Sequence, residues 1–145
     1  MLEISCGAIV FKKFKRQIKV LIVKQFNKFW SFPKGHVEND ETHIQTAIRE
    51  LKEETNLENV IIMEQYQYET NYKLDNNNDK KVILFLAIEK EKNILKINDK
   101  DITKVKYLPV KRAMNMLKRK DLIEILRKSF NDLQFLIKDN KKEGI

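Results

Sequence analysis

Residues 35 to 57 read GHVENDETHIQTAIRELKEETNL, and the architecture turns on this stretch. Thr42 to Thr55 predicts a helix, with Asn56 suited to a left-handed residue at its end. On that helix Glu50, Glu53 and Glu54 stand at i, i+3 and i+4, so their carboxylates share one face. Ile44, Ala47, Ile48 and Leu51 centre roughly 120° away at 100° per residue, an apolar face for a sheet while the acids meet a cleft. Three carboxylates this close repel one another, and some take up protons unless a cation sits among them. Mg²⁺ suits hard oxygen ligands, and Mn²⁺ accepts similar ones. A solvated helix face carries glutamates too, so the acids alone leave both readings open. The residues upstream favour the cation. Gly35 permits a tight turn whose carbonyl oxygen can face the same ion. Glu41, at the helix start, can pair with Arg49 and tie the loop to the helix.

Outward from this unit the pattern is of strands. Ile4 to Phe11 is an apolar run, followed by a basic turn over Lys12–Arg16 and β-branched Ile18 to Val23, together a hairpin. Phe29 to Phe32 predicts a short strand stopped by Pro33, and residues 34 to 41 a loop. Val60–Tyr72 and Val82–Ile88 predict strands joined by the polar turn 75–79. Val105–Leu108 predicts a strand ending at Pro109, which then opens a helix over Val110–Arg119. Asp121–Lys138 carries apolar residues at helical spacing. Mixed strands and helices imply a layered α/β domain.

Composition bounds the rest. A chain of 145 residues, 42% hydrophobic and 34% charged, suits one domain with a real core. Its single cysteine excludes a disulfide framework and a four-cysteine zinc site. No basic segment followed by a long apolar run opens the sequence, and no apolar run reaches about 18 residues, so a cytoplasmic protein without membrane contact is expected. The net charge of +8 favours polyanions, although the lysines are spread evenly enough to be a general compositional bias.

Residues 35–57 resemble the Nudix box, G-x5-E-x7-R-E-U-x-E-E-x-G-U with U aliphatic. Gly35, Glu41, Arg49, Glu50, Leu51, Glu53, Glu54 and Leu57 match; Asn56 stands where the family has glycine. The resemblance implies one Nudix domain over residues 1–145, an α/β/α sandwich around a mixed β-sheet. It implies a hydrolase of nucleoside diphosphate derivatives, with Mg²⁺ held by Gly35, Glu50, Glu53 and Glu54 and an in-line water as nucleophile. Arg49 belongs to the same catalytic set. The proton acceptor is a glutamate of the box or an acid of a distant loop, for which Asp101 is the candidate.

Trp30 to Glu38, WSFPKGHVE, is similar to the stretch that leads into the box in bis(5′-nucleosyl)-tetraphosphatases, which cut diadenosine tetraphosphate to ATP and AMP. Asn71-Tyr72 resembles their base-holding pair, and Lys81 lies where they carry a phosphate-reaching lysine. Tyr72 and Tyr107 are therefore the stacking candidates, and Lys34, Lys81 and His36 the phosphate candidates. Those enzymes have a second aromatic two residues before the position of Tyr107, where this chain has Val105. The expected partner is a nucleotide with a polyphosphate chain, acted on by a monomer. The 5′ end of RNA, a nucleoside triphosphate, and a sensor that binds nucleotide without turnover are the alternatives.

Overall fold

The computed structural model describes residues 1–90 and 93–142, with side chains to Asp139. β1 (Leu2–Phe14) forms the centre, and its apolar run is continuous because both of its faces are covered. Ile9 and Phe11 enter one core, while Ala8 and Val10 enter another on the opposite face. A tight turn at Lys15, whose φ is 54°, leads into the antiparallel β2 (Gln17–Gln25). The expected hairpin is present, with β1 running on through the basic stretch to Phe14.

β3 (Trp30–Ser31) stops before Pro33, as expected. The loop expected from residue 34 begins instead as a strand, β4 (Lys34–His36), antiparallel to Ser5–Gly7 of β1. Glycine explains this. A Cβ on Gly7 would collide with the Pro33 carbonyl and Lys34, so its absence lets the two backbones close.

α1 (His43–Thr55) starts at Thr42, whose hydroxyl accepts from Gln45 N–H while the Gln45 side chain accepts from Thr42 N–H. It ends at Asn56 in the left-handed region, φ 71°, with Asn56 N–H donating to the Lys52 carbonyl at 2.8 Å. β5 (Val60–Lys73) and β6 (Asp79–Glu89) form the second hairpin. β7 (Ile102–Pro109) starts earlier than its apolar residues suggest, because it pairs with β2 as far as Gln25. α2 (Val110–Leu117) ends two residues early, at Lys118 with φ 61°, before α3 (Lys120–Lys142).

The sheet runs β3-β2-β1-β6-β5, with β4 beside β1 and β7 beside β2. β1 and β6 are parallel. Leu51 of α1 packs on one face with Ala8, Val10 and Leu21; Leu117, Leu122 and Leu126 of α2 and α3 cover the other with Ile9, Val20 and Leu84. This is the expected α/β/α layering around a mixed sheet. No helix among the described residues is long and apolar enough to cross a membrane.

One expectation about α1 is corrected. Its buried arc runs through Thr46, Glu50, Glu54, Ala47 and Leu51 to Thr55, while Ile48 stays 48% exposed. The helix is rolled toward its acids, so Glu50 and Glu54 enter the interface with the sheet.

Candidate active site

Arg49 organises the loop between β4 and α1. Its Nε and Nη2 grip the Glu41 carboxylate at 2.7 and 3.1 Å, and Nη2 also donates to the His36 carbonyl at 2.8 Å. Glu41 accepts further bonds from Thr46 Oγ1 and Glu38 N–H. The Arg49 guanidinium, with these hydrogen bonds, holds the Glu41 carboxyl down at about 2. Arg49 Nη1 turns the other way, to Glu50 at 2.9 Å and Glu53 at 3.2 Å. The expected tie between loop and helix is therefore made, and the same side chain orients two of the acids.

Glu50, Glu53 and Asp99 each offer a carboxylate oxygen, and the three oxygens lie within 4.8 Å of one another. Gly35 abuts this group: a Cβ there would overlap the Glu50 carboxylate. Glu54 is buried, accepting from Lys34 N–H at 3.3 Å. Burial and the neighbouring Glu50 charge push its carboxyl up to about 8, with Lys34 opposing. Burial likewise raises Glu50, against the pull of Arg49. Crowded hard oxygens whose ionisation is resisted are a donor set that fits a divalent cation.

Asp99 is the member that sequence reasoning passed over in favour of Asp101. The loop after β6 lies across the C-terminal end of α1: Lys96 N–H donates to the Thr55 carbonyl and Asn98 N–H to the Glu53 carbonyl, each at 3.1 Å. These bonds satisfy helix carbonyls that would otherwise lack donors. Asn56 Nδ2 also donates to the Ile94 carbonyl at 3.0 Å. Asp99 Oδ1 accepts from Asp101 N–H, and Asp101 lines the same cleft while standing outside the trio. Two acids flanking one lysine could not be ranked without this docking.

The cleft, about 310 Å³, is lined by Glu50, Glu54, Asp99 and Asp101 together with Lys34, His36 and Lys80. Lys80 Nζ donates to Ser5 Oγ at 2.6 Å and lies 3.0 Å from His36 Nε2, whose ring is also 3.3 Å from Glu3. Burial and the nearby Lys34 charge lower the Lys80 ammonium; burial, offset by Glu54, lowers Lys34. Lys81, the residue chosen from sequence, pairs instead with Glu69 at 3.0 Å and does not line the cleft. Lys80 sits opposite Tyr72 and Lys81 opposite Asn71, so a shift of one residue changes the face.

A second recess, about 300 Å³, shares Lys34 with the cleft and is lined by Phe29, Trp30, Tyr72 and Arg119. The Arg119 guanidinium lies 4.6 Å from the Tyr72 ring centre and is held by Asp121. Tyr107 lines neither space. Its hydroxyl donates to the buried Glu89, its ring meets Phe14 edge-on at 5.3 Å, and burial and that bond raise its phenol pKa. Val105, two residues earlier, packs against the same core. The two expected stacking tyrosines are thus apart, and Trp30, Phe29 and Arg119 accompany Tyr72 instead.

A family model of the NUDIX domain matches residues 1–132. The chain belongs to the NUDIX domain family. Among curated NUDIX relatives, the bis(5′-nucleosyl)-tetraphosphatase [asymmetrical] of Rattus norvegicus is 33% identical over 93 residues, covering 57% of this chain and 63% of the rat protein. The match thus spans less than two thirds of that relative's length. The RNA pyrophosphohydrolase of Pelagibacter ubique is 32% identical over 74 residues, 49% of this chain and 45% of that protein. The crystal structure of a C. elegans Ap4A hydrolase binary complex superposes with a TM-score of 0.84 at 24% identity, covering 91% of this chain and 97% of that one, which establishes the NUDIX fold.

Proposed function

We propose that this NUDIX domain hydrolyses a pyrophosphate linkage in a dinucleoside polyphosphate, splitting diadenosine tetraphosphate and water into ATP and AMP. The observation that carries the reading is one cleft lined by both acids and the lysines Lys34 and Lys80, with an aromatic recess that shares Lys34 with it. Glu50, Glu53 and Asp99 would hold Mg²⁺ or Mn²⁺, with Glu54 nearby and Gly35, which has no side chain, leaving room beside the Glu50 carboxylate. The ion, when bound, offsets phosphate charge and makes a bound water more acidic.

The chain's own residues supply the remainder. Lys34 and Lys80 bind the phosphate oxygens as point charges, and His36 adds a ring nitrogen beside Lys80. Trp30, Phe29 and Tyr72 receive a nucleobase by stacking, with Arg119 fixing the Tyr72 ring. Arg49 and Glu41 hold the acids in place. Water adds to one phosphorus, the bond to the bridging oxygen breaks, and the water's proton passes to Glu54 or Asp101, two cleft carboxylates outside the trio.

Product analysis tests this directly. Diadenosine tetraphosphate with Mg²⁺ should give ATP and AMP in equal amounts; two ADP, or no reaction, would overturn the assignment. Removal of pyrophosphate from the 5′ end of RNA is the second reading, supported by the similarity to the Pelagibacter enzyme and by the net charge of +8. Triphosphorylated RNA in a parallel assay distinguishes it.

A further inference from the structure

Resting on that reading, we propose that Phe26 is the contact for the second nucleoside of the dinucleotide, which makes it a determinant of dinucleoside over mononucleoside substrates. Phe26 is 77% exposed, a large aromatic side chain kept in water. The loop beneath it is fixed. Phe26 N–H donates to the Asp101 carbonyl at 2.7 Å, Gln25 N–H to the Phe29 carbonyl at 2.8 Å, and Lys28 N–H to the Gln25 carbonyl at 2.8 Å. Asn27 Oδ1 accepts from Phe29 N–H at 3.1 Å. With its donors satisfied, this turn presents Phe26 at little further cost in ordering.

The position of that ring is what gives it meaning. Phe26 lines an open recess of about 230 Å³ together with Gln25, Asn27 and Asp101. Gln25 and Asp101 also line the acid and lysine cleft, and Gln25 and Asn27 also line the Trp30–Tyr72 recess, so the three spaces meet at Gln25, with Asp101 on the Phe26 side and Lys34 on the Trp30–Tyr72 side. The cleft therefore has two aromatic neighbours. A mononucleotide can use one of them, whereas two nucleosides joined through phosphates can use both. Every base has a π-face, so a single exposed ring suffices for stacking without selecting the base.

The test compares diadenosine tetraphosphate with adenosine tetraphosphate, which has the same phosphates and one nucleoside. Phe26→Ala should raise KM for the dinucleotide about tenfold more than KM for the mononucleotide, the effect of losing one base stack. Phe26→Tyr should restore the wild-type ratio. The same ratio is read from binding without turnover, through fluorescence of Trp30, the sole tryptophan, with chelator present. Equal shifts for both ligands, or none, overturn the role of Phe26. Tight binding of the dinucleotide by wild type without cleavage would instead overturn the catalytic reading, and the binding ratio would still decide Phe26.

Discussion

Single side chains here carry opposite pH signatures. The Glu54 carboxyl is raised to about 8 from an ordinary 4.5, so its contribution to the stability of the metal-free protein is present below pH 4.5 and lost as pH rises through 8. Glu54→Gln should flatten the fall in Tm between pH 6 and 8.5 measured by calorimetry in chelator, and should lower kcat about a hundredfold or more. Glu50 is raised also, so a shallower slope remains. Parallel slopes for wild type and variant would contradict the burial argument. Glu41 works the other way: held at about 2 by Arg49, it contributes stability above pH 4.5 that is lost as pH falls toward 2. Glu41→Gln should therefore destabilise the protein at pH 7 and narrow the gap to wild type in acid-denaturation curves near pH 2. A gap that stays constant across that range would place the Arg49–Glu41 pair outside the stability of the fold.

At the scale of elements, the loop before β7 depends on the end of α1. Asn56 takes the left-handed conformation that glycine would adopt without strain, and its side chain holds the Ile94 carbonyl. Asn56→Gly should change stability by less than about 1 kcal/mol, since relief of the left-handed strain offsets the lost bond. The same substitution should reduce kcat severalfold, because the loop that presents Asp99 loses an anchor. Unchanged kcat with unchanged Tm would show that the backbone bonds of Lys96 and Asn98 fix that loop unaided. The helix and its left-handed end were legible in the sequence, because capping and 3.6-residue periodicity are local. The roll of α1 that exposes Ile48 was not, since it is set by what the sheet presents beneath.

Across the whole molecule, what could be read from the chain divides by range of contact. The continuous apolar run of β1 announces a strand covered on both faces, and the Gly35–Leu57 stretch announces the loop and helix that carry the acids. Lys80, Asp99 and Trp30 depend on pairings and dockings between distant segments, and Tyr107 was drawn to the buried Glu89 by the same long-range geometry. The trio Glu50, Glu53 and Asp99 crosses that divide, joining a helix to a loop residue nearly fifty positions later. A divalent ion bound there closes the loop onto the helix in the folded state only, so it stabilises by mass action. At a hundred times its dissociation constant the gain is about 2.7 kcal/mol, or about 5 to 10 °C in Tm for a chain of this size. Potassium at equal ionic strength should give no such shift, because screening cannot replace coordination. Glu53 is exposed, so Glu53→Gln should abolish the shift while the metal-free Tm stays within about 2 °C of wild type. Asp99→Asn is the stricter variant: if its Mg²⁺ midpoint and shift equal those of wild type, the loop is not bridged to the helix by the ion, and the acids of α1 act without it.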